Sequence, residues 1–414
     1  MPSNAFARVT PVLVAATAVA VAGLAAPAAA APPGLRQQCA APAKVVVRQI
    51  PWPQQRLAPE RAWVLTRGEH VTVAVIDSGV DATVPQLRGH VLPGIDVIGG
   101  RGRANTDCIG RGTFVAGIIA ARPTPGIGFA GVAPGATILP LRQTSTGQDG
   151  SPSVLAAAIR AATDHHAKVI NISDGSPVST TALRSAVRYA QAHDVLIVAA
   201  ADDQNRQGAS YPAVYPGVLA VGAIGEDGKR SQSGNAVRLV APGDGVLGLG
   251  AGGPGHLIGQ GAGFAAPFVA GVAALVRSYQ PALTAAQVAR RLELTADHPG
   301  GSLPDPVIGF GVVNPYAAVA SILPEEGARP ATPSGAPPQA SLLPVVHAAP
   351  VDHGGRTAGL AIGGLGLAAL LITGLLAAVL PRGRRRGWRA GTVPASAVPG
   401  GTASRGSAAP GGGS

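Results

Sequence analysis

Four runs in the body of the chain, residues 71–76, 168–172, 195–200 and 218–223, are predominantly apolar on both faces. A strand of that kind has no face to give to water, so it belongs inside a sheet that is covered on both sides. Stretches of helical period lie among and after these runs, at 114–121, 154–165, 181–193 and 265–278. Elements alternating in this way build a parallel sheet packed between helices, the α/β class. Open sheets of this class place their functional groups at the carboxyl ends of strands, and Asp77, in Asp77-Ser78-Gly79, stands at the end of the first run.

That body is only part of the 414 residues, and both ends point to a membrane. Arg8 precedes an uncharged run at 12–26, and Pro27 and four alanines follow, which is the pattern of a secretory signal peptide over 1–31. The run is too short to span a bilayer, which needs about 20 residues. Residues 358–380 carry no charge, and five arginines between 382 and 389 follow at once, with Trp388 among them. This is the pattern of a transmembrane helix whose arginine side stays in the cytoplasm, with 381–414 as a basic, Gly/Ala-rich cytoplasmic tail. The expected protein is therefore a single-pass cell-membrane protein in contact with lipid, its larger part extracytoplasmic. Between these ends lie an N-terminal extension at 32–60, the α/β domain at 61–320, and a Pro/Ala-rich stretch at 321–357 without helical period, expected to be an extended spacer.

The net charge of +11 makes no case for nucleic acid. Six of the arginines lie in 381–414 with no acid beside them and one lies in 1–31, which leaves +4 on the central chain, and aromatic residues are only 3%. No H-E-x-x-H, Cys/His cluster or acid-rich calcium loop is present, so neither a metal nor a cofactor is expected. An exported address lets Cys39 and Cys108 join as a disulfide; the alternative is two free thiols.

The motifs along the body then occur in a particular order. They read Val75-Ile-Asp-Ser-Gly-Val80, Gly110-Arg-Gly-Thr-Phe-Val-Ala-Gly117, Gly131-Val-Ala-Pro134, Tyr211-Pro-Ala-Val-Tyr-Pro216, Ala220-Val-Gly-Ala223, Val240-Ala-Pro-Gly243 and Gly261-Ala-Gly-Phe-Ala-Ala-Pro-Phe-Val-Ala-Gly271. Over about residues 60–320 this resembles a subtilisin-like serine protease. With the two ends and the cysteines, the whole chain resembles the mycosins, the membrane-anchored subtilases of type VII secretion systems in actinobacteria. The resemblance implies the subtilisin-like sheet and a secretion complex as partner. It does not by itself imply activity.

The catalytic positions depart from the family's pattern. Subtilase chemistry needs a serine nucleophile, a histidine base, an aspartate that orients it, and an asparagine in the oxyanion hole. The resemblance places the aspartate at Asp77, which is intact. The histidine position holds Arg111, whose guanidinium has no lone pair to accept a proton. It can still neutralise Asp77, so an Arg111–Asp77 ion pair is expected, the alternative being an Arg111 turned to solvent. The serine position holds Gly263, so no acyl-enzyme can form there, although the helix start it occupies keeps amides that suit a carbonyl or an anion. The asparagine position holds Asp203, whose carboxylate would repel an oxyanion; Asn205 is two residues away. His90, His165 and His166 read as structural. The expectation is an inactive homologue acting as a scaffold or binding an extended peptide. The alternatives are an active serine endopeptidase with relocated groups and a cell-surface peptide receptor.

Overall fold

The computed structural model describes residues 39–327, except 101, 147–150, 202–207 and 232–236. The expected signal peptide, transmembrane helix and cytoplasmic tail, most of the spacer, and Asp203 with Asn205 lie outside the described residues. In chain order the elements are α1 (Trp52–Leu57), β1 (Thr72–Asp77), β2 (Ile95–Asp96), α2 (Arg111–Ala120), β3 (Thr137–Arg142), α3 (Pro152–Asp164), β4 (Val169–Ile172), α4 (Thr181–Ala192), β5 (Leu196–Ala200), β6 (Leu219–Ile224), β7 (Leu239–Pro242), β8 (Val246–Leu249), β9 (His256–Gly259), α5 (Ala262–Tyr279), α6 (Ala285–Leu294), α7 (Pro315–Ala320) and α8 (Pro324–Gly327).

Seven strands form one parallel sheet in the order β2-β3-β1-β4-β5-β6-β7, and β8 and β9 form a separate antiparallel pair. Strands β4 to β7 are buried at every residue, as strands covered on both faces must be. Helix starts follow local chemistry. Ser151 caps α3 by accepting from the Val154 N–H and Thr180 caps α4 by accepting from Leu183, while Thr284 and Gln287 close a reciprocal capping box on α6. Among the described residues α5 alone is long and apolar enough to cross a membrane, but 78% of it is buried, because it is the central helix packed on β4 to β7.

The expected α/β architecture is therefore the observed one, with differences that matter near the site. Helix α2 starts three residues earlier than its apolar period suggests, at Arg111, and α5 starts at Ala262, which puts Gly263 in its first turn. Strand β3 is absent from the expected set, because Pro140 breaks the pattern of an interior strand. The structure tolerates it where β2 reaches only Leu141 and Arg142. The stretch expected to be a spacer opens with a helical turn, α8, held to the body by an ion pair between Glu326 and Arg291.

Candidate functional site

Strand β1 delivers Asp77 to the carboxyl end of the sheet, opposite Arg142 of β3, and no part of the Asp77 side chain reaches solvent. One carboxylate oxygen, Oδ1, accepts from the Ser78 N–H at 2.8 Å and from Arg111 Nε at 2.9 Å. Arg111 is the first residue of α2, and its Nη1 reaches Asp174 Oδ2 at 3.1 Å, just beyond β4. The expected ion pair is present, and Arg111 does not turn to solvent. Burial pushes the Asp77 carboxyl above its ordinary range, against the pull of the guanidinium. Burial works against the charge on Arg111 as well, but the carboxylates of Asp77 and Asp174 outweigh it and raise its pKa further.

The start of α2 is held by a loop rather than by an N-cap side chain. Asp107 accepts from the N–H groups of Ile109, Gly110 and Thr113 and from the hydroxyls of Ser78 and Thr113, while Ser78 Oγ accepts from Gly112 N–H. A side chain at Gly112 would meet the Gly79 carbonyl oxygen at 1.9 Å, so only glycine lets α2 begin this close to β1. The next residue after Asp107 is Cys108, which is bonded to Cys39, so the disulfide ties the N-terminal segment to the loop that orients Arg111.

Gly263 faces Asp174's neighbour Ser173. A Cβ placed on it would sit 2.7 Å from the Ser173 carbonyl oxygen, closer than real Cβ atoms come to backbone. The carboxyl end of β4 thus leaves little room for a side chain at 263. Arg111 touches both Asp77 and Asp174, and Gly263 adjoins Asp174 through Ser173. Neither Asp174 nor Asp107 is among the residues expected from the sequence; for Asp174 the available signal is a charge just past a buried strand.

Chemically, this arrangement lacks two things. Arg111 offers only donors where a proton acceptor is needed, and position 263 has no hydroxyl. The hydroxyl nearest Asp77 along the chain, that of Ser78, is buried and already committed to Asp107 and Gly112. Among the described residues no group of His, Cys, Asp and Glu is placed to hold a metal ion.

Residues 68–311 match the family described as Peptidase_S8, the subtilase family. Mycosin-1 of Mycolicibacterium smegmatis is 34% identical over 387 residues, a match that spans 79% of this chain and 84% of that one. Subtilisin E of Bacillus subtilis is 36% identical over 258 residues, spanning 61% and 66%. The crystal structure of MycP1 from Mycobacterium smegmatis aligns with a TM-score of 0.62 at 32% identity, covering 75% of this chain and 94% of that one. Frame, motif order and both kinds of likeness agree: the chain belongs to the subtilase family, on its mycosin branch.

Proposed function

We propose that this chain is a catalytically silent mycosin-type subtilase homologue, anchored to the cell membrane by residues 358–380, that serves as a scaffold or peptide-binding component of a type VII secretion assembly. The observation that carries this reading is the ion pair of Arg111 with Asp77 at 2.9 Å. A guanidinium bound to the orienting carboxylate cannot take a proton from a nucleophile, and the position that would supply the nucleophile is a glycine. Asp203, at the position of the oxyanion donor, adds a third loss by its chemistry alone. The secretion context rests on relatives: one similar structure is that of "a serine protease MycP1, an essential component of the type VII (ESX-1) secretion system".

Two experiments test the two halves of the proposal. A fluorophosphonate probe should leave the purified full-length protein unlabelled; labelling of a serine that heat denaturation abolishes would show an active enzyme with relocated groups. Affinity capture of the full chain from detergent-solubilised membranes should recover membrane subunits of a secretion complex. Recovery of the chain alone would favour a free-standing receptor.

A further inference from the structure

Residues 43–47 of the N-terminal segment run beside β9. The Ala43 carbonyl accepts from Gly255 N–H at 3.0 Å and the Val45 carbonyl from His256 N–H at 2.8 Å, while the Val47 carbonyl takes the Gly128 N–H at 3.2 Å. Val47's own N–H donates to a side chain, His256 Nδ1, at 3.2 Å. His256 is buried, with its ring edge-on to Phe129 at 5.4 Å. Its other nitrogen, Nε2, lies 3.3 Å from Gln86 Oε1.

The neighbours decide which nitrogen carries the proton. Gln86 Nε2 donates to the carbonyls of Arg122 at 2.9 Å and Phe129 at 3.0 Å, so the amide is oriented with Oε1 as acceptor. His256 Nε2 must then be the donor, which leaves Nδ1 as a bare lone pair, the acceptor that Val47 N–H requires. We infer that His256 is a proton-operated latch for the N-terminal segment: a proton added at Nδ1 sets N–H against N–H, and residues 43–47 come away from β9. The Cys39–Cys108 disulfide keeps the start of the segment tethered, so the released stretch is a flap rather than a free tail.

Among the described residues no carboxylate makes up for the added charge. The charged residues on the segments packed around His256 are Lys44 and Arg48 on the N-terminal stretch, Arg88 after Gln86, and Arg122. All are cationic and exposed. On the β8–β9 side Asp81 caps the hairpin turn by accepting from Gly252 N–H at 2.7 Å and has its own partners there. Burial holds the imidazole below its ordinary 6.5, and the Val45 carbonyl, an acceptor for the protonated ring, offsets that only in part. The sign follows: the latched state is fully stable above 6.5 and loses that stability as pH falls through the lowered value.

The test is hydrogen exchange of the full-length protein in detergent, followed by mass spectrometry from pH 8 to pH 4.5 and corrected for intrinsic rates. Protection of residues 40–50 should fall on acidification by up to about tenfold per pH unit, the limit for one proton, while β1 and α5 keep theirs. His256→Asn keeps an acceptor that cannot be protonated at these pH values and should remove the pH dependence. Should that variant not fold, Val47→Pro removes the donor from the partly buried segment itself and should leave 40–50 weakly protected at every pH. Constant protection of 40–50 in the unmodified protein, or the same acid response in either variant, overturns the latch. None of these outcomes depends on whether the cleft is silent.

Discussion

Two inward-facing arginines anchor different parts of the molecule, and they do so unequally. Arg291 on α6 is 1% exposed, and every side-chain nitrogen has a partner: Nε and Nη2 bind the Glu326 carboxylate, and Nη1 donates to the carbonyls of Ala318 at 2.7 Å and Ser321 at 2.9 Å. Arg111 also spans two partners, Asp77 and Asp174, yet its Nη2 and the Asp77 Oδ2 atom are buried without a hydrogen bond among the described residues. One surrounding is built for a guanidinium. The other satisfies its guanidinium on one side only. On the proposed function, that difference marks a guanidinium standing where the family carries the smaller imidazole.

The largest effect should come from Arg291→Ala, which removes a buried guanidinium from the half-buried Glu326 carboxylate and from two carbonyls; a loss of about 3 kcal/mol is expected, read as a fall in the denaturant midpoint. Arg111→Ala should cost less, about 2 kcal/mol, because a buried carboxyl whose pKa already lies high can take a proton instead of standing charged. Equal losses for the two variants would show that the sites are equally adapted. Gly263→Ser should cost about 1–3 kcal/mol, since its Cβ meets the Ser173 carbonyl, and a thermal melt would show it. A neutral result would show that the cleft end of β4 yields easily. The same contact bears on the triple variant Arg111→His, Gly263→Ser and Asp203→Asn: hydrolysis should return only if Ser173 gives way.

The smallest effect concerns a third arginine. Asp194 is held below the usual carboxylate range: burial opposes its charge, but hydrogen bonds from Arg277 and from the Ala285 N–H outweigh that. Its contribution is present above about 3.8 and is lost as pH falls through its lowered value. Asp194→Asn should therefore lower the neutral plateau of a Tm-against-pH curve slightly, towards the acid value, and flatten its acid limb.

Much of this is legible in the order of the residues. The doubly apolar strands dictate a covered parallel sheet, and the expense of an isolated buried carboxylate foretells the partner of Asp77. Asp174 is not legible in the same way, because its contact with Arg111 joins the end of β4 to the start of α2, 63 residues apart in the chain. The narrow room at position 263 is a matter of fractions of an ångström in backbone placement, which no residue pattern encodes. Pro140 hides β3, and His256 lies on a short, half-exposed strand with no period to mark it.

The proposed function requires that the Arg111–Asp77 site turn over no peptide. The direct measurement is hydrolysis of a mixed peptide library by the purified full-length protein, run beside an Asp77→Ala variant and a buffer blank. All three should be indistinguishable. Turnover by the unmodified protein that disappears in the Asp77→Ala variant would contradict the account.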